Sequence, residues 1–261
     1  MESKWRLKLV FVLTLLGAIG IIAIIPYEIT TLMNNEVYQS DLGALPLEFV
    51  IIINTIVRIV LVFIFVLFGL RFQRRTGLNV SIIENLVYQG KLIKISKLGF
   101  YRSIIGALLI SFLILIIDVF VFSAALDNTI NEVVATIWWQ GLFASFYGGI
   151  TEELMLRLFA MTCVVWLLAK ITKKHGALIP NRYYYLAIIL TSLLFALGHI
   201  PATIEVFGEL TPLLFFRTIV YNGLLGLWFG YVYFERGLEY AMIAHFSADI
   251  FIHVLMSVIM H

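Results

Sequence analysis

The sequence predicts an all-α protein, a polytopic bundle of about seven transmembrane helices. Hydrophobic residues make up 62% of the 261 positions, and the mean hydropathy is +1.01. Only 13% of residues are charged, about half the share found in a typical soluble domain. The apolar residues also fall into long runs that short charged stretches separate. These three observations indicate that the chain folds in lipid and not in water.

Seven apolar runs approach or exceed the roughly 20 residues that a membrane-spanning helix requires. In chain order they are roughly Leu7–Ile25, Leu47–Leu70, Phe100–Ala125, Val133–Ala169, Tyr183–Ile200, Pro212–Phe234 and Leu238–Met260. The fourth run is too long for one simple span. Either Gly148 and Gly149 kink it, or its first part lies at the membrane interface with Trp138 and Trp139 as anchors. An eighth short span in this region is a further alternative.

The charges between these runs alternate in sign along the chain. Lys4, Arg6 and Lys8 precede the first run, and acidic residues follow it. The basic connection over residues 71–97 contains apolar residues at helical spacing, which predicts a short interfacial helix. Because basic loops stay in the cytoplasm, we expect a cytoplasmic N-terminus and an external C-terminus, in a bacterial cell membrane. The first run lacks a small-residue cleavage site, so we interpret it as a retained span.

Composition also bounds the function and the domain organisation. The sequence contains no basic block of the kind that binds nucleic acid. Its single cysteine, Cys163, excludes an internal disulfide and a cysteine-rich metal site. Without repeats or linkers, the chain is predicted to form one integrated membrane domain. Within it, residues 1–132 would supply anchoring spans and residues 133–261 a catalytic core.

This division rests on the ionisable residues within the apolar runs, because such residues are costly in lipid and are functional candidates. In the first three runs we single out two, Arg58 and Asp118, which we interpret as a structural ion pair between the second and third spans. The second half is richer and holds Glu152, Glu153, Arg157, His199, His245, Asp249 and His253.

Glu152, Glu153 and Arg157 lie midway along the fourth run. Residues four apart share a helix face, so Glu153 can pair with Arg157. Glu152 is rotated by about 100° and points elsewhere. A carboxylate left unpaired in a low-dielectric site is a candidate general base. The alternative is a charge triplet that only ties helices together, although one ion pair would need a single glutamate.

His199 ends the fifth run, where a histidine is more often a packing residue than a catalyst. His245 and Asp249 share a helix face that His253 continues, and their plainer interpretation is a buried hydrogen bond without chemistry. In the predicted topology His199 lies nearer the outer surface and His245 nearer the inner one. They meet only if the fifth span is short or tilted, or if a re-entrant segment at Pro201–Pro212 follows it. Glycines that we interpret as packing positions precede His245, at positions 223, 226, 230 and 237.

Together these motifs resemble the CAAX-protease and bacteriocin-processing family, also called the Abi family. Its pattern is Glu-Glu-x-x-x-Arg, then Phe-x-x-x-His, then His-x-x-x-Asn/Asp. The matching residues are Glu152, Glu153, Arg157, Phe195, His199, His245 and Asp249. The resemblance covers roughly residues 145–255. Each motif is weak alone, but the ordered set, with each motif on its own apolar run, is fairly specific.

The resemblance implies an α-helical intramembrane endopeptidase that uses neither a cofactor nor a metal. It implies that Glu152 and His199 activate a water for attack on a peptide carbonyl. It implies that Glu153 and Arg157 orient and hold the site. The expected partners are the lipid bilayer and a peptide or protein substrate at the membrane. A prenylated C-terminus, a bacteriocin, a pheromone precursor and a membrane protein are all open as substrates.

The resemblance further implies that His245 and Asp249 stabilise the oxyanion. Prenyl-protein proteases of the family typically have Asn at the position of Asp249, and this chain departs from that pattern. An ionised Asp only accepts hydrogen bonds. Asp249 can therefore help if it is protonated, or if it holds His245 as an imidazolium donor. We favour the protonated form because the family commonly places Asn there.

Three other interpretations compete with a metal-free protease. A metal site of two histidines and one carboxylate could use His199, His245 and Glu152, or His245, His253 and Asp249. We favour the metal-free site, because Arg157 beside a metal ion would be electrostatically unfavourable. A non-catalytic role in bacteriocin self-immunity or as a membrane scaffold is the second alternative. A transporter is the third, and the lack of internal repeats counts against it.

Overall fold

The computed structural model describes residues 6–33, 45–91, 95–122 and 137–259. These residues form helices joined by turns, and no strand occurs among them. Within the described residues, seven helical stretches are long and apolar enough to cross a membrane: Leu7–Met33, Leu47–Gln73, Lys97–Phe122, Trp138–Ile171, Asn181–Phe207, Pro212–Arg236 and Leu238–Leu255. We number them spans 1 to 7. The predicted all-α bundle of seven spans is confirmed, and the chain is a multi-pass integral membrane protein.

Several spans combine consecutive helical segments. The α-helices are α1 (Leu7–Ala23), α2 (Ile25–Met33), α3 (Leu47–Gln73), α4 (Ser81–Gln89), α5 (Lys97–Ile117), α6 (Trp138–Phe146), α7 (Thr162–Ile171), α8 (Asn181–Gly198), α9 (Ile200–Phe207), α10 (Pro212–Arg236), α11 (Leu238–Asp249) and α12 (Met256–Ile259). Wider π-helical turns occupy Asp118–Phe122, Tyr147–Glu152, Leu154–Met161 and Ile250–Leu255, and a 3₁₀ turn occupies Gly176–Leu178. Turns of the π type are rare and often mark functional sites. Here one lies in span 3, two lie in span 4 and one lies in span 7.

The bundle has two ends, and contacts between neighbouring spans show which span termini lie together at each end. At the first, where spans 1, 3, 5 and 7 begin, Arg6 donates to Glu84 of α4 across 2.6 Å. At the second, where these spans end, Gln140 donates to Thr30 across 2.9 Å. We call the first the basic end and the second the cavity end. Helix α4 confirms that the connection over 71–97 contains a short helix.

Span 4 is helical from Trp138 to Ile171, so no eighth span occurs among the described residues of this region. Gly148 and Gly149 lie within its π-helical part and face span 7. A Cβ atom at Gly149 would lie 2.8 Å from the Cβ of Phe246, so this position allows close helix packing. Positions 123–125, 133–136 and 260 of the predicted spans lie outside the described residues.

Two glycines of span 6 pack against span 5 as predicted. A Cβ atom at Gly226 would lie 3.0 Å from the Cα of Ser192, and one at Gly230 would lie 3.2 Å from a methyl carbon of Ile188. Gly237 has a different role, since its φ of +109° belongs to the tight turn between spans 6 and 7. These contacts bring spans 5, 6 and 7 together around the residues of the motifs.

Candidate active site

A fully buried ion pair lies at the centre of the site. Glu153 and Arg157 are both 0% exposed, and Nη1 of Arg157 lies 3.2 Å from Oε1 of Glu153, which confirms the predicted pairing. A second guanidinium nitrogen donates to the carbonyl oxygen of Gly226 across 3.0 Å. The guanidinium also lies over the rings of Phe195 and Phe229, at 5.2 and 5.4 Å from their centroids. These contacts stabilise a charge that lipid would otherwise disfavour.

The same carboxylate fixes the ring of His245. Nδ1 of His245 lies 2.8 Å from Oε1 of Glu153, and since a carboxylate only accepts, Nδ1 is the donor. The ring also stacks on Phe229, with centroids 4.3 Å apart and planes 19° apart. Nε2 is thereby directed at two other carboxylates, Oε2 of Glu152 at 3.6 Å and Oδ1 of Asp249 at 3.7 Å.

Glu152 and Glu153 are adjacent in sequence but face different surroundings. The side chain of Glu152 is 19% exposed and contributes to the wall of a cavity, whereas that of Glu153 is fully buried. The prediction that Glu152 points away from the ion pair is therefore confirmed. Arg157 compensates the charge of Glu153 and leaves Glu152 available to a molecule in the cavity.

His199 lies at the junction of α8 and α9. Its Nδ1 donates to the carbonyl oxygen of Phe195 across 2.9 Å, because a carbonyl can only accept. This hydrogen bond leaves Nε2 free for a ligand. Span 5 continues as α9 to Phe207, so His199 lies about 12 Å of helix below the end of the span. Directly after His199 the chain is helical over Ile200–Phe207, and Pro201 is accommodated in the first turn of this helix.

A cavity of about 780 Å³ brings the motif residues together at the cavity end. Four of the predicted site residues contribute to its wall: Glu152, His199, His245 and Asp249. Glu153 and Arg157 are not part of this wall. Glu153 contacts Nδ1 of His245, the ring nitrogen that does not face Glu152 and Asp249, and Arg157 pairs with Glu153. A volume of this size is within the range of small-molecule and peptide sites. His253, which is also in the wall, continues the line of His245 and Asp249 along span 7.

Glu152 and His199 also contribute to the wall of a second, smaller pocket of about 360 Å³. Its other walls are mostly apolar and include Phe65 of span 2, Phe159 of span 4 and Leu194 of span 5. The pocket suits an apolar group held next to the carboxylate of Glu152. Within the described residues, no group of three or more His, Cys, Asp or Glu side chains is arranged to hold a metal ion.

Gly148 sets the distance between spans 4 and 7 at the site. A Cβ atom at this position would collide with the carboxylate of Asp249 and would lie 3.0 Å from Nε2 of His245. Any larger residue would displace one of these two side chains. Gly148 is therefore a positioning residue that the sequence analysis interpreted only as a possible kink.

The predicted ion pair between Arg58 and Asp118 is wrong. Arg58 instead pairs with Glu28 of span 1. Asp118 accepts two hydrogen bonds from Arg217, at 2.9 and 3.2 Å, and one from Tyr221.

The residues of these two polar clusters all contribute to the cavity wall, and Glu205 joins them there: Glu28, Arg58, Asp118, Arg217 and Tyr221. The sequence analysis missed Arg217, although a cation inside the sixth apolar run was a signal for it.

The comparison with known families agrees with the motifs. Residues 133–251 match the family model described as type II CAAX prenyl endopeptidase Rce1-like. No curated protein and no solved structure matches the chain. The matched segment contains the buried ion pair and the four motif residues of the cavity wall. Residues 133–251 of this chain are therefore similar to the Rce1-like family of type II CAAX prenyl endopeptidases.

Proposed function

We propose that the protein is an intramembrane endopeptidase in which Glu152 activates a water molecule. The observation that carries this proposal is the division of labour between two adjacent glutamates. Glu153 is buried against Arg157, while Glu152 faces the cavity 3.6 Å from Nε2 of His245. A positioned carboxylate without a fixed cation partner is suited to accept a proton from water.

The proposed reaction begins with a water held between Glu152 and Nε2 of His199. The water oxygen attacks the carbonyl carbon of the scissile peptide bond, and its proton passes to Glu152. The carbonyl electron pair moves to oxygen. Collapse of this tetrahedral species breaks the carbon–nitrogen bond, and Glu152 returns the proton to the leaving amine. The hydrogen bond from His199 to the Phe195 carbonyl supports this role, because it fixes which nitrogen faces the cavity.

The developing oxyanion is assigned to His245 and Asp249. The Nε2 atom of His245 is turned towards the cavity because Glu153 holds the opposite nitrogen and Phe229 holds the plane of the ring. Because Nδ1 of His245 already donates to Glu153, its Nε2 can donate to the oxyanion only in the imidazolium form, whereas a protonated Asp249 donates directly. Either donor, already oriented in a water-poor site, stabilises the charge without reorganisation, an effect worth about 10²–10³ in rate for one hydrogen bond. The Glu153–Arg157 pair acts through His245 and has a positioning role.

The substrate is a polypeptide at the membrane, and the bilayer is the second partner. An apolar group of the substrate fits the smaller pocket beside Glu152 and His199. Such a pocket next to the reacting carbonyl orients a substrate without using polar contacts. Metal independence is part of the proposal, because the cation at the centre of the site is the guanidinium of Arg157.

The deciding experiment uses the full chain purified in detergent, with a library of peptides and mass spectrometry of the products. We expect the wild type to cleave one internal peptide bond. In Glu152→Gln the rate should fall by about 10²–10⁴, because the general base is lost while the shape is kept. Glu235→Gln, an exposed glutamate at the basic end, is the matched control and should cleave normally. Equal rates in wild type and Glu152→Gln would reject the glutamate mechanism.

A further inference from the structure

We infer that the active-site cavity opens on the extracytoplasmic side of the membrane, so that the substrate is an exported polypeptide. The identity of the occupant as a substrate rests on the proposed function. The side on which the cavity opens is an independent property of the fold. It follows from the position of the cavity in the bundle and from the distribution of positive charge.

The cavity lies at one end of the bundle only. Its wall includes residues from the ends of spans 1, 3 and 5, namely Glu28, Asp118 and Glu205. It also includes Arg58, about three turns into span 2, and Arg217, in the second turn of span 6, and both of these spans begin at the cavity end. All of these positions lie at the cavity end.

The opposite route, from the basic end, is closed by packed side chains. Arg157, Phe229 and Tyr233 are each 0% exposed, and by their positions along spans 4 and 6 they lie on the basic-end side of Glu152. Tyr233 and Thr162 share a hydrogen bond of 3.0 Å that joins spans 4 and 6 below the ion pair. A polypeptide cannot reach Glu152 from the basic end without unpacking this layer.

Positive charge is concentrated at the basic end. Among the described residues, all but three of the lysines and arginines lie in or next to that end, by their positions along the spans. The exceptions are Arg58, Arg157 and Arg217, and each pairs with an acidic side chain, Glu28, Glu153 and Asp118 respectively. Connections rich in Lys and Arg stay in the cytoplasm during insertion, while acidic residues contribute little. The basic end is therefore cytoplasmic and the cavity end is external.

This orientation defines the class of substrate. A cytoplasmic chain does not meet the cavity, whereas a secreted precursor or the external segment of a membrane protein does. His199 lies about 12 Å of helix below the external end of span 5. An extended segment of roughly four residues covers that distance. The scissile bond must therefore lie in a segment that can enter the cavity as an extended chain.

The test is cysteine accessibility in intact cells, in a chain whose only cysteine is removed by Cys163→Ala. Ala202→Cys places a thiol in the cavity wall, and Lys174→Cys places one on the exposed surface of the basic end. With a membrane-impermeant maleimide, we expect full labelling of Ala202→Cys before permeabilisation. Lys174→Cys should stay at background until the cells are permeabilised. The reverse pattern, or labelling of both in intact cells, overturns the inference.

If the Ala202→Cys variant does not accumulate in the cells, Asn54→Cys, in another part of the cavity wall, replaces it in the labelling experiment.

A second experiment presents one cleavable reporter sequence outside the membrane and the same sequence inside, and compares its cleavage by wild type and Glu152→Gln. We expect cleavage of the external reporter alone. External labelling without any Glu152-dependent cleavage would reject the proposed function and leave the orientation standing. Labelling from the cytoplasmic side would reject the orientation whatever the proteolysis result.

Discussion

The Nδ1 atom of His245 lies 2.8 Å from Oε1 of Glu153, a residue 92 positions earlier in the chain. This one hydrogen bond joins span 7 to span 4 at the depth of the site. It also determines that Nε2 of the imidazole ring, and not Nδ1, faces the cavity.

His199→Ala should reduce proteolysis by about 10²–10⁴ without unfolding the protein. The side chain contributes to the cavity wall, and its loss removes the partner of Glu152 on the proposed water. Initial rates and a thermal unfolding curve should be measured on the same detergent preparation. His175→Ala, at an exposed position between spans 4 and 5, is the matched control. Near-normal turnover in His199→Ala would remove this residue from the mechanism.

Arg157→Ala should destabilise the fold by about 3–5 kcal/mol, because it leaves Glu153 charged and buried without a cation. Both side chains are 0% exposed, so water cannot compensate for the loss. The readout is the midpoint of unfolding in detergent, compared with Lys174→Ala on the exposed surface. The double variant Arg157→Leu with Glu153→Leu should recover much of the stability but none of the activity. An unchanged midpoint in Arg157→Ala would contradict the assigned role of the ion pair.

Gly148→Ala should lower activity by about 10²-fold while the bundle stays folded, since small displacements of reacting groups have effects of this size. The added Cβ would displace the carboxylate of Asp249 or the ring of His245. The matched control is Gly223→Ala in span 6, where no atom lies within 4 Å of the added carbon. If both variants cleave at the wild-type rate, Gly148 does not position the site.

Asp249→Asn should keep or raise activity, and Asp249→Leu should abolish it. If Asp249 is protonated, the Asn amide replaces it as a donor of the same shape. Asp249 lies 3.7 Å from Nε2 of His245, so the leucine variant would remove a polar group from the cavity beside it. Rates should be measured across pH in both variants, together with the unfolding midpoint. A large loss in a folded Asp249→Asn would instead favour an ionised Asp249 that holds His245 as imidazolium.

Activity should survive strong chelation, and no stoichiometric metal should co-purify. The prediction follows from a site whose central cation is the guanidinium of Arg157 and whose base is Glu152. Metal content by mass spectrometry and rates with and without EDTA test it directly. Loss of activity with EDTA, restored by Zn²⁺, would favour a site of two histidines and one carboxylate.

The features that the sequence predicted correctly are local ones. The spans are readable because apolar runs have to match the thickness of the bilayer. The Glu153–Arg157 pair is readable because residues four apart meet on one helix. The continuation of span 5 beyond Ile200 was not predicted; Pro201 lies in the first turn of α9, where proline is tolerated.

The features that the sequence could not predict are contacts between distant parts of the chain. Arg58 and Asp118 were correctly marked as unusual in an apolar run, but their partners lie in spans 1 and 6. Charge alone does not say which helices are neighbours, so any two opposite charges at similar depth are plausible partners. The role of Gly148 was missed for the same reason, because the side chains it accommodates belong to span 7.

The position of the buried ion pair on a single helix has a consequence for biogenesis. An arginine near the middle of a nascent span costs about 2.5–3.5 kcal/mol at insertion, and an acidic residue costs a comparable amount. Glu153 and Arg157 can neutralise each other as soon as span 4 leaves the ribosome, before spans 5 to 7 exist. His245, from the last span to be made, then joins a carboxylate that is already in place. The order of synthesis thus lets Arg157 enter the bilayer already paired with Glu153. The site is complete only when span 7 brings His245 to this pair.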